Sequence, residues 1–320
     1  MKFKIILISA VLFFLFNSTN TSAQSTFNFN IKNMVNDSCM IGYYLGDKQY
    51  VFGDDGKNQM IYITEDGKGS FTRDDLKPGV ILLVFPPEND FVEFIYEGTD
   101  LNFTLDRIDL ENSIEINSLS NILQKKHNSL IFSLTKKHKE LTKKKEENPA
   151  LDIDAGLIEI SDEFTSFQEK MIADYPDNLF VEMLKANQEI SIPETITDET
   201  EQYIYYKEHY FDYIDFKDDW LIRTRFFYPK VLRYLDDLTY NSVKHVNESL
   251  DIIIDKTDED SELFQFLVVN LLNKYANNNT YDFTDVWKHL VEKYYISGKA
   301  TWTSEEQLKK IIDSYNKKSE

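Results

Sequence analysis

An α+β fold is predicted for this chain, an antiparallel β-sandwich followed by an all-α region, and two observations predict it. Eight of the ten glycines lie between Gly42 and Gly98, and only Gly156 and Gly298 follow. Glycine serves tight turns and weakens helices, so its disappearance marks a change from hairpins to helix. The hydrophobic period changes at the same place, from alternation before residue 117 to helical spacing after residue 118. The expected organisation is a signal peptide over residues 1–23, a β-sandwich domain over 24–117 and a helical domain over 118–320.

The first segment reads as a leader. Lys2 and Lys4 precede an apolar run from Ile5 to Phe16, and Thr21-Ser22-Ala23 ends in the small residues that a signal peptidase accepts. That run is shorter than the roughly 20 residues needed to span a bilayer, which argues against an uncleaved anchor. Cleavage near Ala23 would release an exported, periplasmic chain beginning at Gln24. No later stretch is apolar enough to re-enter a membrane, so no stable membrane insertion is expected.

Short strands are predicted at "FNFNIKN", "CMIGYYLG", "KQYVFG", "MIYITED", "VILLVF", "FVEFIYEG" and "LNFTLDR". Gly46-Asp47, Asp54-Asp55-Gly56, Asp66-Gly67 and Pro86-Pro87 separate them as turn signals. Phe27, Phe29 and Ile31 alternate with polar residues, as do Leu101, Phe103 and Leu105, giving each strand one buried and one wet face. "GKGSF" at Gly67 reads as a turn; it lacks the strand-to-helix setting and second glycine of a serine nucleophile elbow.

Beyond residue 118, Leu123, Leu130, Leu134 and Leu141 form one helical stripe, and Leu157, Phe164, Phe167 and Met171 another. Pro149 breaks the chain between them, so the pair reads as a helical hairpin. Further helices are expected over 178–189, 199–213, 228–238, 242–255, 260–276, 283–295 and 304–315.

Composition excludes some functions. The formal charge is −20, and loss of Lys2 and Lys4 with the leader takes it to −22. Such a surface repels phosphate backbones, so nucleic acid is not an expected partner. The basic run "KKHKELTKKK" (136–145) reads as a solvated helix end, with a docking patch as the sharper alternative. Cys39 is the single cysteine, so the chain can form neither an internal disulfide nor a C-x-x-C pair. Its apolar strand setting predicts an inert buried thiol.

The richest stretch is "YIYYKEHYFDYIDFKDDWLIRTRFFYP", residues 203–229. Tyr203, Tyr206, Tyr210 and Tyr213 fall along one helix face. Asp212, Asp215 and Asp219 would share another face if the helix continued, where they could hold a cation or share a proton. The simpler reading pairs these acids with Arg223 and Arg225 within an aromatic core. "DIDAGLIEISDE" (152–163) places Asp152, Asp154 and Glu163 at calcium-loop positions but puts Leu157 where the pattern requires glycine. His127, His138, His209, His245 and His289 include no metal-binding pair in register. His289 and Glu292, three apart, share a helix with packing residues. No phosphate-binding or dinucleotide glycine motif occurs. No catalytic, cofactor or metal residue is assigned, and no cofactor is expected.

Four segments do resemble a known family. They are "MIGYYLGDKQYVFGDDG" with "GSFTRDDLKPGVILLVFPPENDFVEFIYEG", then "YPDNLFVEMLKANQEISIP", "YYKEHYFDYIDFKDDWLIRTRFFYPKVLRYLDDL" and "DVWKHLVEKYYISGKATW". In this order they resemble the N-terminal portion of exported thioredoxin-like proteins of Gram-negative bacteria. There a β-sandwich and a helical region, both domains of unknown function, precede a thioredoxin-like domain with its C-x-x-C pair. This sequence ends at Glu320 without that domain, so the resemblance carries over no redox residue and implies an accessory form or a part of a split gene. Arg225 stands where the relatives tend to have proline. The resemblance gives residues 203–229 an architectural role.

Three functions are therefore in play. The first is an exported, non-catalytic accessory or recognition module that binds a protein partner, either a thioredoxin-like protein or an exported thiol substrate. The second is a small-ligand or glycan-binding module using Tyr205, Tyr206, Trp287 and Trp302, which would have to line a cleft. The third is an enzyme built on the acids from Asp212 to Asp219, which requires two carboxylates converging at about 5–9 Å.

Overall fold

Alternation along the strands is realised as a two-sheet sandwich whose aromatic residues meet in the middle. The computed structural model of the protein describes residues 24–276 and 283–319; the predicted leader, residues 1–23, lies outside them. The strands are β1 (Ser25–Lys32), β2 (Asp37–Leu45), β3 (Lys48–Val51), β4 (Gly53–Asp54), β5 (Lys57–Asn58) and β6 (Met60–Ile63). They continue with β7 (Lys68–Arg73), β8 (Gly79–Phe85), β9 (Asp90–Tyr96), β10 (Leu101–Asp106) and, after the short helix α1 (Leu110–Ser113), β11 (Glu115–Ile116). One sheet runs β11-β10-β1-β7. The other runs β3-β2-β8-β9, with β6 on β2 beside β3, and β4 and β5 form a separate ribbon.

Phe27, Phe29 and Ile31 stand opposite Leu101, Phe103 and Leu105, and all six are buried. They share one core with Ile41, Ile61, Ile81, Leu83, Phe85 and Phe94 of the facing sheet. Pairing is antiparallel throughout except between β1 and β10, which run parallel. The N-terminal strand inserts between β7 and β10, a long-range choice that no local pattern encodes. All seven expected strands are present. β7 is additional: "KGSFTR" buries Phe71 alone, too weak an alternation to read as a strand. The turn expected at Gly67 is there, with a φ of +77°, and the strand begins directly after it.

The helical region begins with α2 (Leu119–Glu147) and α3 (Asp154–Asp174), the expected hairpin, followed by α4 (Leu179–Ala186) and α5 (Glu199–His209). Leu123, Leu134 and Met171 are buried in the hairpin, whereas Leu130, Leu141, Leu157, Phe164 and Phe167 are half-buried. The arm is thus anchored mainly at its base. Gly156 lets the helices close near the tip, since a Cβ there would sit 2.8 Å from the Leu141 side chain. A 3₁₀ turn (Asp219–Arg223) leads to α6 (Phe227–Asp236), α7 (Val243–Ile254) and α8 (Glu262–Ala276). The chain then forms α9 (Thr284–Leu290), a π-helical turn (Val291–Ile296) and α10 (Glu305–Ser319).

Caps explain several of the boundaries. Asp198 accepts the amides of Thr200 and Glu201, and the Ser242 side chain that of His245. Ser304 and Gln307 exchange side chain and backbone reciprocally, a capping box that starts α10. The central helix is α8, buried over most of its circumference by Leu263, Phe264, Phe266, Leu267, Leu271 and Tyr275. No helix among the described residues is long and apolar enough to cross a membrane.

Two of the ties that bind the sandwich to the helices are Asn121 and the 3₁₀ turn, beside the bonds that Ser118, Ser120 and Asn178 make to Glu97. Asn121 of α2 accepts the Ile95 amide at 2.9 Å and donates to the Ile95 carbonyl at 2.7 Å. Its side chain thereby acts as one residue of a neighbouring strand along the free edge of β9, closing part of an edge that would otherwise invite pairing. The second tie is the 3₁₀ turn, which packs against β2, β8 and α8. The Gly46 amide donates to the Ile222 carbonyl, and Arg223 Nε to the Pro78 carbonyl, both at 2.7 Å.

Candidate functional site

The residues between 203 and 229 part company where the helix ends. α5 stops at His209, so Asp212, Asp215 and Asp219 do not share a face. Asp212 accepts from His209 Nδ1 at 2.6 Å, Asp215 caps the Lys217 amide, and Asp219 accepts the Leu263 amide at the start of α8. The expected pairing with Arg223 and Arg225 is corrected in its contacts, since Asp219 acts on Arg223 through its charge without an ion pair. Arg223 Nη1 instead donates to Glu262 at 2.7 Å, and Arg225 lies 3.7 Å from Glu93. Chain reversal after α5 turns these side chains toward distant elements, which local spacing cannot register. Burial raises both Asp218 and Glu182 of α4 from the ordinary carboxylate value; the charges of Asp215 and Asp219 add to it at Asp218, and that of Asp218 adds to it at Glu182.

The other sequence candidates are also dispersed. The supposed calcium loop is the start of α3, where Asp152 caps the Asp154 amide and Glu163 pairs with Lys137 at 2.6 Å. His245 meets Ser242 and His289 meets Asp251. Among the described residues no group of three or more His, Cys, Asp or Glu is placed to hold a metal ion.

Cys39 is buried in β2, and burial, with the charge of Asp37, pushes its thiol up to about 12. A thiol so rarely ionised is a poor nucleophile. We expect no reaction with a thiol reagent in the folded protein and full reaction after unfolding in urea. Rapid native labelling, measured by mass, would show that the strand is open.

His127 sits at the base of the hairpin against Phe164, Phe167 and Phe180. The Gln168 amide nitrogen lies 3.3 Å from its Nε2. Burial holds the imidazole below its ordinary 6.5. The unfolded chain therefore binds a proton near 6.5 that the folded chain refuses. This penalty is absent above that pH, and stability falls as the pH drops below it. The urea midpoint should decline from pH 7.5 to 5.5 more in the native protein than in His127→Phe; equal declines would rule this residue out.

One site assembles aromatic residues on open space. An open cleft of about 310 Å³ lies between α8, α9, the π turn and α10. Its floor holds Trp287, Tyr295 and Trp302, and its walls Val269, Leu272, Ala276 and Ile311. Asn273, Thr303, Gln307, Lys310 and Ser314 complete the lining. Along α10 the residues 307, 310, 311 and 314 recur at helical spacing, so one stripe of that helix forms a wall. The π turn widens the backbone just past α9, and both Tyr294 and Tyr295 are buried there. Such turns are rare and occur frequently at functional sites. Trp302 packs edge-on to Phe264 at 5.6 Å, and Lys318 lies 4.6 Å above the Trp287 ring. Burial pushes the Tyr295 phenol up to about 12, so it stays a neutral hydroxyl.

Of the four aromatic residues expected to line a cleft, Trp287 and Trp302 do so. Tyr205 lies against His209, and Tyr206 donates to Glu189. Tyr295, Gln307 and Lys310 went unnoticed in the sequence. Tyr295 continues the stripe of Val286, Trp287, Leu290, Val291 and Tyr294 at helical spacing, so the sequence marks it as a packed residue and carries no signal of the cleft.

α10 itself is lightly held: Leu308, Ile311 and Tyr315 touch the helical core, and all three are only half-buried. Tyr315 also donates to Glu292 in the π turn.

The family profile described as Domain of unknown function (DUF5106) matches residues 133–318, a span that contains every residue lining the cleft. Neither the curated proteins nor the solved structures include a match. Because the matched span exceeds half of the sequence, the chain belongs to the DUF5106 family.

Proposed function

We propose that the protein is an exported recognition module, without chemistry of its own, that seats a compact apolar ligand in the cleft between α8, α9 and α10. The convergence of Trp287, Tyr295 and Trp302 on one open space carries this reading. A cleft of about 310 Å³ stands at the small end of the usual range for ligand pockets, about 300–1,000 Å³. Glycans are a poor fit, since stacking on a sugar needs an open aromatic face. Trp287 and Tyr295 are only 5% and 4% exposed. Titration calorimetry with the neutral probe phenylbutyramide tests the site. Saturable binding with a negative heat-capacity change is expected, and Ser314→Trp, which fills the cleft from its exposed rim, should abolish it. Binding unchanged in that variant would place the probe elsewhere and end this reading.

A protein partner is the second reading, supported by the arm of α2 and α3. Phe132 and Ile158 are 75% and 60% exposed on it. The sequence resemblance makes that partner a thioredoxin-like protein or an exported thiol substrate. Export rests on the residues before Gln24; expression in a Gram-negative host should yield a periplasmic protein whose mass begins at Gln24. A full-length mass in the cytoplasmic fraction would remove that proposal.

A further inference from the structure

Acids outnumber bases 55 to 35 in this sequence, yet no Asp or Glu lines the cleft among the described residues. What charge it has is positive. Lys310 forms part of the lining, and Lys318 reaches over the Trp287 ring from the last turn of α10. Asn273, Thr303, Gln307 and Ser314 supply the other polar side chains of the lining. We infer, resting on the cleft as the binding site, that its ligand is an apolar molecule bearing a carboxylate. The hydrocarbon lies among the apolar walls of Val269, Leu272, Ala276 and Ile311 and the anionic head is received by Lys310.

The present partner of Lys310 makes this exchange feasible. Its ammonium lies 2.6 Å from Glu306, with the two side chains 72% and 79% exposed. An exposed pair one helical turn apart contributes little to stability, so replacing that carboxylate by a ligand's loses little. The incoming carboxylate replaces it one for one, while the hydrocarbon it carries is held by the apolar walls. Long-range repulsion from the acidic body is the opposing effect. At physiological salt the screening length is about 8 Å, so the ammonium in direct contact prevails. A cationic head has no carboxylate in the lining to receive it. A neutral head would leave Lys310 with its present partner and gain nothing from the charge.

The test compares phenylbutyrate with phenylbutyramide on the intact protein by calorimetry at neutral pH. A charge-assisted hydrogen bond to so exposed an ammonium corresponds to about a twofold to fivefold preference for the carboxylate. Lys310→Met, at an exposed position that does not threaten folding, should reduce the preference, read as the ratio of acid to amide affinity within the variant, to near unity. Equal binding of acid and amide overturns the charge inference and leaves the cleft reading intact. A preference that survives in Lys310→Met overturns the role of Lys310. If neither probe binds, the inference falls together with the reading beneath it.

Discussion

Replacing Arg223 with Leu is expected to lower the unfolding free energy by about 3–5 kcal/mol, the usual consequence of stripping one partner from a buried ion pair. The side chain is 10% exposed and makes two short hydrogen bonds, to the Pro78 carbonyl and to Glu262. Burial pushes the guanidinium down to about 10, against the opposing pull of Asp219, so it remains charged at neutral pH. Leu removes that charge and leaves the Pro78 carbonyl and the Glu262 carboxylate short of a donor. Lys77 also pairs with Glu262, which keeps the carboxylate from isolation and places the effect toward the lower end. The backbone has no room to adapt. Gly79 sits at a φ of +148°, and a Cβ there would fall 2.5 Å from the Arg223 Cβ.

Arg225 supplies the control. It is 71% exposed and 3.7 Å from Glu93, so Arg225→Leu should change stability by no more than about 0.5–1 kcal/mol. Urea unfolding followed by circular dichroism measures both. Equal effects would mean that the buried pair contributes nothing special.

These two arginines show what the sequence could and could not convey. Read locally, both follow a run of acids and invite the same pairing. In the fold, one is buried against Pro78 and the other faces solvent. Pairings of this kind depend on which distant element arrives, and local spacing carries no record of that. Alternation, by contrast, is local: Phe27, Phe29 and Ile31 had to share a face, and they do. The helix starts expected at 199 and 242 fall within one residue of those of α5 and α7, where Asp198 and Ser242 cap the backbone through local chemistry. The end of α5 at His209 was not legible, because apolar spacing continues past it through Tyr210 and Phe211 into turns that are themselves buried. The cleft was half visible. Trp287 and Trp302 stood out as large aromatics, but only the docking of α10 on α8 and the π turn makes a cavity of them.

Phe27→Ala should destabilise the protein by about 3–5 kcal/mol, as large aromatic deletions in a core do, and the loss should be felt far from the sandwich. Phe27 is 0% exposed, and its ring lies within 6 Å of Phe71, Phe94, Tyr96 and Phe103, so both sheets close on it. Alanine leaves a cavity that four aromatic neighbours cannot readily collapse into. Trp220, Trp287 and Trp302 all belong to the helical region, so tryptophan emission reports only on that region. If the sandwich were an independent unit, its loss would leave the emission transition where it was. The Asn121 side chain is bonded at both ends to Ile95, and Arg223 is bonded to Pro78, so the helices lose buried hydrogen bonds when β8 and β9 come apart. The emission midpoint in urea should therefore move with the circular dichroism midpoint in Phe27→Ala. Separation of the two curves would show that the ties are too weak to couple the regions. Coincidence would mean that a substitution in the sandwich lowers the stability of the cleft without touching it.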